Sequence, residues 1–522
     1  MQAVAVADPF ICQEILHSTE LDKRPNTGYW IVTEMMSAHN EPNLVSSEST
    51  AYWRAVRKTV AVAFSSSAMR NNFEQICSAG QDMVKVLKGK PPGESVDMFR
   101  GLLCVSVDVI SRFGFKKDFG AVSSFGGGDG RHDFLDSILL ATKEAQEFLK
   151  KPYRQLLWFL PEVKKSYQTF RDFQSFMEKL VCDMRSSEPV SEDDNSVSAQ
   201  LLRCKDPSTG QPLTDQQLVP MASMMFWAGY DTSAVTMTWA MYMIAQHPQV
   251  EAKLVAELKA HGLLATPDNP NPPAPTYKQL MELDYLSHVV QETQRLYPAV
   301  AFGTSRCSPH KDVYLDNGRL RVPKGTIVWV LTHSLQNSSF TWEHPERFDP
   351  GRWEQQGADQ ASPMPGKARA IIGSMERHAS KPLDHPFNIA AESQAGNYEP
   401  PQLRLSRVAA QAQSSELEAA LSKFNEQQTG DPKAPLPKRW IPFMDGRRSC
   451  VGQPLAKVAM LSTLAQLYAN FSMELSQAMP DPAGVRAKES LALAVLHPGS
   501  SLHMHIHPRL QLASQESGHE SS

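Results

Sequence analysis

No two cysteines in this chain are spaced as CxxC, and the seven present (Cys12, Cys77, Cys104, Cys182, Cys204, Cys307 and Cys450) are odd in number and scattered. That argues against a cysteine zinc site and a disulfide framework, and fits a reducing compartment. Excess charge is missing as well. The chain has 52 basic and 56 acidic residues, a formal net charge of −4, and no basic or acidic tail, which disfavours nucleic acid as a partner. The opening MQAVAVADPF has no basic segment followed by an apolar one, so no secretory leader is expected. The glycine run FGGGDG at 125–130 fits neither GxGxxG nor GxxxxGKS/T and reads as a flexible loop. Residues 217–246 carry one charge, Asp231, and are long enough to span a bilayer. An acid at mid-span is costly and no Lys/Arg cluster flanks the segment, so a long buried helix is the better reading.

What is present is mostly helical periodicity. AVAVADP alternates over the length of a strand, and Asp8-Pro9 starts a helix through PFICQEIL. Residues 26–50 read as a long polar loop ahead of a helix around TAYWRAVRKTVAVAF, and helical patterns dominate from about 70 to 187. MELDYLSHVVQETQRLYP reads as a helix stopped before Pro298, and DVYLDNGRLRVPKGTIVWVL as strands around an Asn317-Gly318 hairpin turn. Residues 354–437 are rich in Ala, Gln, Ser and Pro and read as a disordered surface insertion. SLHMHIHPRL alternates like a strand, and 511–522 form a polar tail. His503, His505 and His507 would share one strand face. No nearby acid or cysteine completes a metal set, so a solvated edge is expected.

One stretch is decorated beyond what a buried thiol needs. In FMDGRRSCVGQPLA the residues Phe443, Gly446, Arg448, Cys450 and Gly452 follow FxxGxRxCxG. A thiolate ligating a flat macrocycle needs a tight turn, which Gly446 permits, and a bare backbone beside the ring, which Gly452 supplies. Pro454 opens a helix whose amino end offers N–H groups and positive dipole to the sulfur, and Arg448 could reach a propionate. Glu292 and Arg295 form an i,i+3 pair on one helix, and PERFDPGRW follows with Arg347. AGYDTS places Ala228, Gly229, Asp231 and Thr232 in the long apolar helix, and WRAVR sets Trp53 one turn from Arg57.

Together these motifs resemble the cytochrome P450 family of haem-thiolate monooxygenases, in its eukaryotic type with the amino-terminal anchor, first helix and first strand absent. The likeness runs over residues 1–510. It implies an α+β, mainly α, cytochrome P450 fold with small β-sheets in one domain, and haem b (iron protoporphyrin IX) bound through Cys450 as the axial iron ligand. Phe443, Gly446, Arg448 and Gly452 would shape the haem loop, with Trp53, Arg57 and Arg306 as propionate contacts. Ala228 and Gly229 would open a groove for dioxygen, and Asp231 and Thr232 would handle protons. Glu292, Arg295 and Arg347 would lock the structure behind the haem.

The resemblance further implies oxidation of a small apolar substrate with electrons from NADPH, delivered by a donor such as NADPH-cytochrome P450 reductase. Lys438, Arg439, Arg447 and Lys457 are either ordinary solvated charges or a docking surface for an acidic donor. By position, the 26–50 loop, Met225, Phe226 and Ala301 to Gly303 would touch substrate. A monomer is expected, cytoplasmic as written, with membrane association at the endoplasmic reticulum or in an organelle for a fuller chain. Two alternatives stand beside this: a peroxide-rearranging enzyme of the same fold, disfavoured by Asp231 and Thr232, and a non-catalytic haem-binding remnant.

Overall fold

The computed structural model describes residues 2–24, 29–39, 41–127, 131–186, 191–339, 341–354, 437–476, 490–492, 495–497 and 501–510. The 354–437 insertion lies almost wholly outside the described residues, and the 511–522 tail wholly so. The chain divides into two compact units, Met1–Thr27 with Gln294–Cys450, and Gly28–Thr293 with Val451–Ser522.

The first unit is built on a three-stranded sheet. Ala3–Val6 pairs parallel with Ile327–Val330, and that strand pairs antiparallel with Thr304–Cys307. The Pro9–His17 helix begins where expected, because the Asp8 carboxylate accepts from the Phe10 and Ile11 amides. Its Ile11, Cys12, Ile15 and Leu16 join Val313, Leu315, Val328, Val330 and Ile441 in one apolar core. The hairpin holds Val313–Leu315 against Leu320–Val322, and Asp316, Asn317 and Gly318 all take positive φ at the turn.

The second unit is helical. Asp215–Ala245 runs 31 residues, started by a capping box between Thr214 and Gln217, and Leu218 to Trp227 are buried without a break. It packs on Met98–Phe115, Pro161–Ser186 and Gln453–Asn470. Among the described residues no helix is long and apolar enough to cross a membrane. A second sheet orders Ser95–Asp97, His503–Pro508 and Phe471–Leu475.

Three expectations are corrected here. The 26–50 stretch contains a helix, Trp30–Met36, whose Ile31, Val32, Met35 and Met36 are buried. Two turns in polar surroundings leave too short a period to read. The histidine strand is the central strand of its sheet, not a solvated edge, and the His505 Nδ1 lies 2.7 Å from the Gly93 carbonyl. The FGGGDG run begins inside a helix, Ala121–Gly126, and its last three residues are outside those described.

Gly303 has a backbone reason of its own to be glycine. Its φ is +62°, and a Cβ there would stand 2.0 Å from the Val330 carbonyl oxygen. Gly303→Ala is therefore expected to lower unfolding free energy by more than about 2 kcal/mol, read from urea denaturation.

Candidate functional site

In the first unit the Cys450 loop is closed by its own backbone. The Cys450 amide donates to the Phe443 carbonyl at 2.8 Å, and Ser449 to Gly446 at 3.0 Å. Gly446 has φ +69°, and a Cβ there would lie 2.5 Å from the Leu16 carbonyl oxygen. Glycine is required for conformation and for close approach together. Its neighbour Asp445 is held by His17 Nε2 at 3.1 Å and Lys438 Nζ at 3.0 Å. Burial pushes the Asp445 carboxyl up, but His17, Lys438 and the Gly446 amide outweigh it and leave it below the usual carboxylate range.

Cys450 itself is exposed, whereas Cys12, Cys77, Cys104, Cys204 and Cys307 are buried. Arg448 and Arg306, in the same unit, are buried at 8% and 2% exposure. Arg306 Nη1 donates to Thr304 Oγ1 at 2.6 Å and to the Ser305 carbonyl at 2.9 Å. Among the described residues no group of three or more His, Cys, Asp or Glu could hold a metal ion. An accessible thiol on a rigid loop, with buried guanidinium groups in the same unit, fits a haem that takes a single sulfur ligand and carries two acidic groups.

Glu292 and Arg295 are fully buried on the Asp284–Leu296 helix. Arg295 donates to the carbonyls of Gln336 at 3.2 Å and Arg347 at 3.0 Å, and its guanidinium lies 5.2 Å from the Trp342 ring centre. Arg347 enters this arrangement only through its backbone. Its side chain is 67% exposed beside Glu346, so it is not the side chain that joins Glu292 and Arg295 as the resemblance implied. The other cation over Trp342 is Arg439, at 4.0 Å, which also donates to the Thr341 carbonyl. Arg439 is 6% exposed and cannot belong to a docking surface. Lys438 is half-exposed but engaged by Asp445, while Arg447 donates to the Leu21 carbonyl at 3.4 Å. Nothing in the sequence distinguishes Arg439 from the other arginines near Cys450.

In the second unit, the middle of the Asp215–Ala245 helix is buried apart from Ala228, Gly229 and Thr232, which are partly open. The spacing i, i+1, i+4 puts them on one face. Thr232 Oγ1 donates to the Ala228 carbonyl at 2.8 Å, and Asp231 is 1% exposed. The Cβ direction of Gly229 points at Ile110, 3.2 Å away, so this glycine lets two helices meet as well as lying on the open face. Phe226 is corrected from its expected role. It is fully buried and stacked between Phe115 at 4.5 Å and Phe119 at 5.3 Å, and Met225 is buried too.

Trp53 is buried and tied to the backbone of the preceding loop. Its indole N–H donates to the Leu44 carbonyl at 3.0 Å, anchoring the preceding loop, and Arg57 lies 5.5 Å from its ring centre. Gly452 caps the Gln453–Asn470 helix, with Pro454 in the first turn as the sequence indicated, and Lys457 is exposed on it.

The family model for cytochrome P450 matches residues 1–365 and 421–497. Cytochrome P450 3A41 of Mus musculus is 28% identical over 324 residues, 60% of this chain and 60% of that protein. Cytochrome P450 3A15 of Cavia porcellus is 30% identical over 335 residues, 61% and 62% of the two chains. The chain thus aligns with about 60% of the length of these curated relatives. The crystal structure of the cytochrome P450DA heme domain superposes with a TM-score of 0.69 and 18% identity, covering 97% of this chain and 87% of that one, which establishes the fold.

Burial pushes the Cys77 and Cys104 thiols up to about 12 and Cys12 well above its ordinary value. At pH 8 a thiol at 12 is ionised in only about one part in ten thousand. Alkylation of the haem-free chain at pH 8, mapped by mass spectrometry, is expected to modify Cys450 and Cys182 and to spare Cys12, Cys77 and Cys104. Haem binding should protect Cys450 alone.

Proposed function

Because this chain belongs to the cytochrome P450 family, we propose that it is a haem-thiolate monooxygenase that places one oxygen atom from dioxygen on a small apolar substrate, with electrons from NADPH through a donor protein. The observation that carries this reading is the exposed Cys450 on a loop that Gly446 closes against Leu16. Haem b would be held by Cys450 sulfur, with Arg448 and Arg306 of the same unit offered to its propionates. When bound, the haem supplies the redox-active iron at which dioxygen is activated.

The chain's own part is ligation, water exclusion and proton handling. The closed Cys450 loop holds the sulfur without a search over conformers. The Thr232 hydroxyl, on the open face of its helix, donates to the Ala228 carbonyl and keeps its lone pairs for a proton donor such as water. Asp231, one residue away and buried, is the acid from which such a relay draws. An acid–alcohol pair on this helix favours oxygen activation over peroxide rearrangement.

Reduced protein under carbon monoxide should show the strongly red-shifted Soret band of thiolate ligation, and Cys450→Ala should abolish it. A wild-type chain without that band would overturn the reading. Thr232→Val should raise hydrogen peroxide released per dioxygen consumed about ten-fold, whereas Thr232→Ser should stay near wild type.

We also propose contact with a membrane surface. Tyr153, Leu156, Trp158 and Phe159 are 54–77% exposed between the Asp133–Lys150 and Pro161–Ser186 helices, and exposed Lys150, Lys151, Lys164 and Lys165 flank them. Aromatic residues beside lysines suit an anionic lipid interface. Leu156→Ser with Trp158→Ser should weaken sedimentation with phosphatidylserine vesicles about ten-fold. Unchanged sedimentation would remove this surface from the account.

A further inference from the structure

The Asp284–Leu296 helix ends inside the first unit, where its last carbonyls need donors that the helix cannot supply. Two side-chain amides from the end of the Thr332–Gln336 helix provide them. Gln336 Nε2 donates to the carbonyls of Gln294 at 2.8 Å and Arg295 at 3.3 Å, and Asn337 Nδ2 donates to those of Arg295 at 3.1 Å and Leu296 at 3.3 Å. Gln336 does one thing more. Its Oε1 accepts the Ile441 amide at 2.8 Å, and Gln336 is fully buried. Turning the amide over would set N–H against N–H at Ile441 and oxygen against two carbonyls, so three backbone partners impose one orientation.

Ile441 leads directly into the Cys450 loop. Met444 donates to the Ile441 carbonyl at 2.9 Å, and Cys450 donates to Phe443 at 2.8 Å. One side chain therefore ties the end of the Glu292–Arg295 helix to the root of the loop that carries the sulfur. We propose that Gln336 is a positioning residue for the Cys450 thiolate, acting through Ile441, an inference that rests on the haem-thiolate reading above. Asn337 shares the capping task without the loop contact, so the two amides separate helix capping from loop positioning.

The experiment compares wild type with Gln336→Met, Gln336→Glu and Asn337→Ala. In the haem-free protein, hydrogen exchange of the 441–450 peptide should quicken about ten-fold or more in Gln336→Met. It should stay at the wild-type rate in Asn337→Ala, and near it in Gln336→Glu, whose buried carboxyl, once protonated, keeps an acceptor for Ile441 and an O–H for the helix carbonyls. In the holoprotein under carbon monoxide, Gln336→Met should lose the red-shifted Soret band on heating before far-UV helicity falls, while wild type and Asn337→Ala lose both together. Equal exchange in Gln336→Met and Asn337→Ala, or coincident loss of band and helicity in Gln336→Met, overturns the positioning role. If Gln336→Met does not fold, faster exchange in Gln336→Glu than in Asn337→Ala overturns it. A wild type without the red-shifted band refutes the haem-thiolate reading instead, and the exchange comparison still decides whether Gln336 holds the loop.

Discussion

The carbonyl oxygen of Leu16, 2.5 Å from where a side chain on Gly446 would begin, is the contact on which the candidate ligand loop depends. It brings together residues from opposite ends of the sequence, so the loop's shape is set by a helix end and not by the loop alone. Asp445 reinforces the same junction through His17, and Arg447 does so through the Leu21 carbonyl. Met444 takes φ +60° beside this point, a conformation that costs a non-glycine residue energy and persists only where its surroundings impose it. Rigidity is what an iron ligand needs, because a thiolate free to swing can be replaced by water or protonated.

A second constraint is electrostatic. Arg295 and Arg439 both bring guanidinium groups to the ring of Trp342, which is itself buried, and Trp353 packs on it at 5.8 Å. Burial together with Arg352 and Arg295 brings Arg439 down to about 10, still protonated at neutral pH. Two buried cations beside one indole are tolerable because the ring face and backbone carbonyls share their charge. Lysine would serve poorly in either place, since it has neither the planar face nor the paired donors.

The motifs were legible where chemistry forces a residue type at a fixed spacing. Gly446 and the Glu292–Arg295 pair could be read because few other residues satisfy a positive φ, or set an acid and a base one turn apart on one helix face. The Asn317-Gly318 hairpin and the Asp8 cap were legible for the same local reason. Tertiary choices were not. Arg347 and Arg439 look alike in sequence, yet one is solvated and the other buried, because the turn before Phe348 presents a carbonyl inward and the chain before Ile441 presents a side chain. Gln336 leaves no pattern at all, since its partners are backbone groups whose identity the sequence does not encode. Trp53 matched a pattern and was then engaged by the Leu44 carbonyl, which only the fold supplies.

The open face at Ala228, Gly229 and Thr232 is where local and tertiary demands meet. A helix buried along most of its length ought to be apolar throughout, and Asp231 and Thr232 break that rule. Thr232 offsets its hydroxyl by donating to Ala228, which leaves acceptor capacity on the exposed side. Small residues beside it keep that side open, since a larger one at 229 would also strike Ile110. A purely structural helix would gain stability from an aliphatic residue at 232. A hydroxyl there, next to a buried acid, is what the proposed proton relay would use.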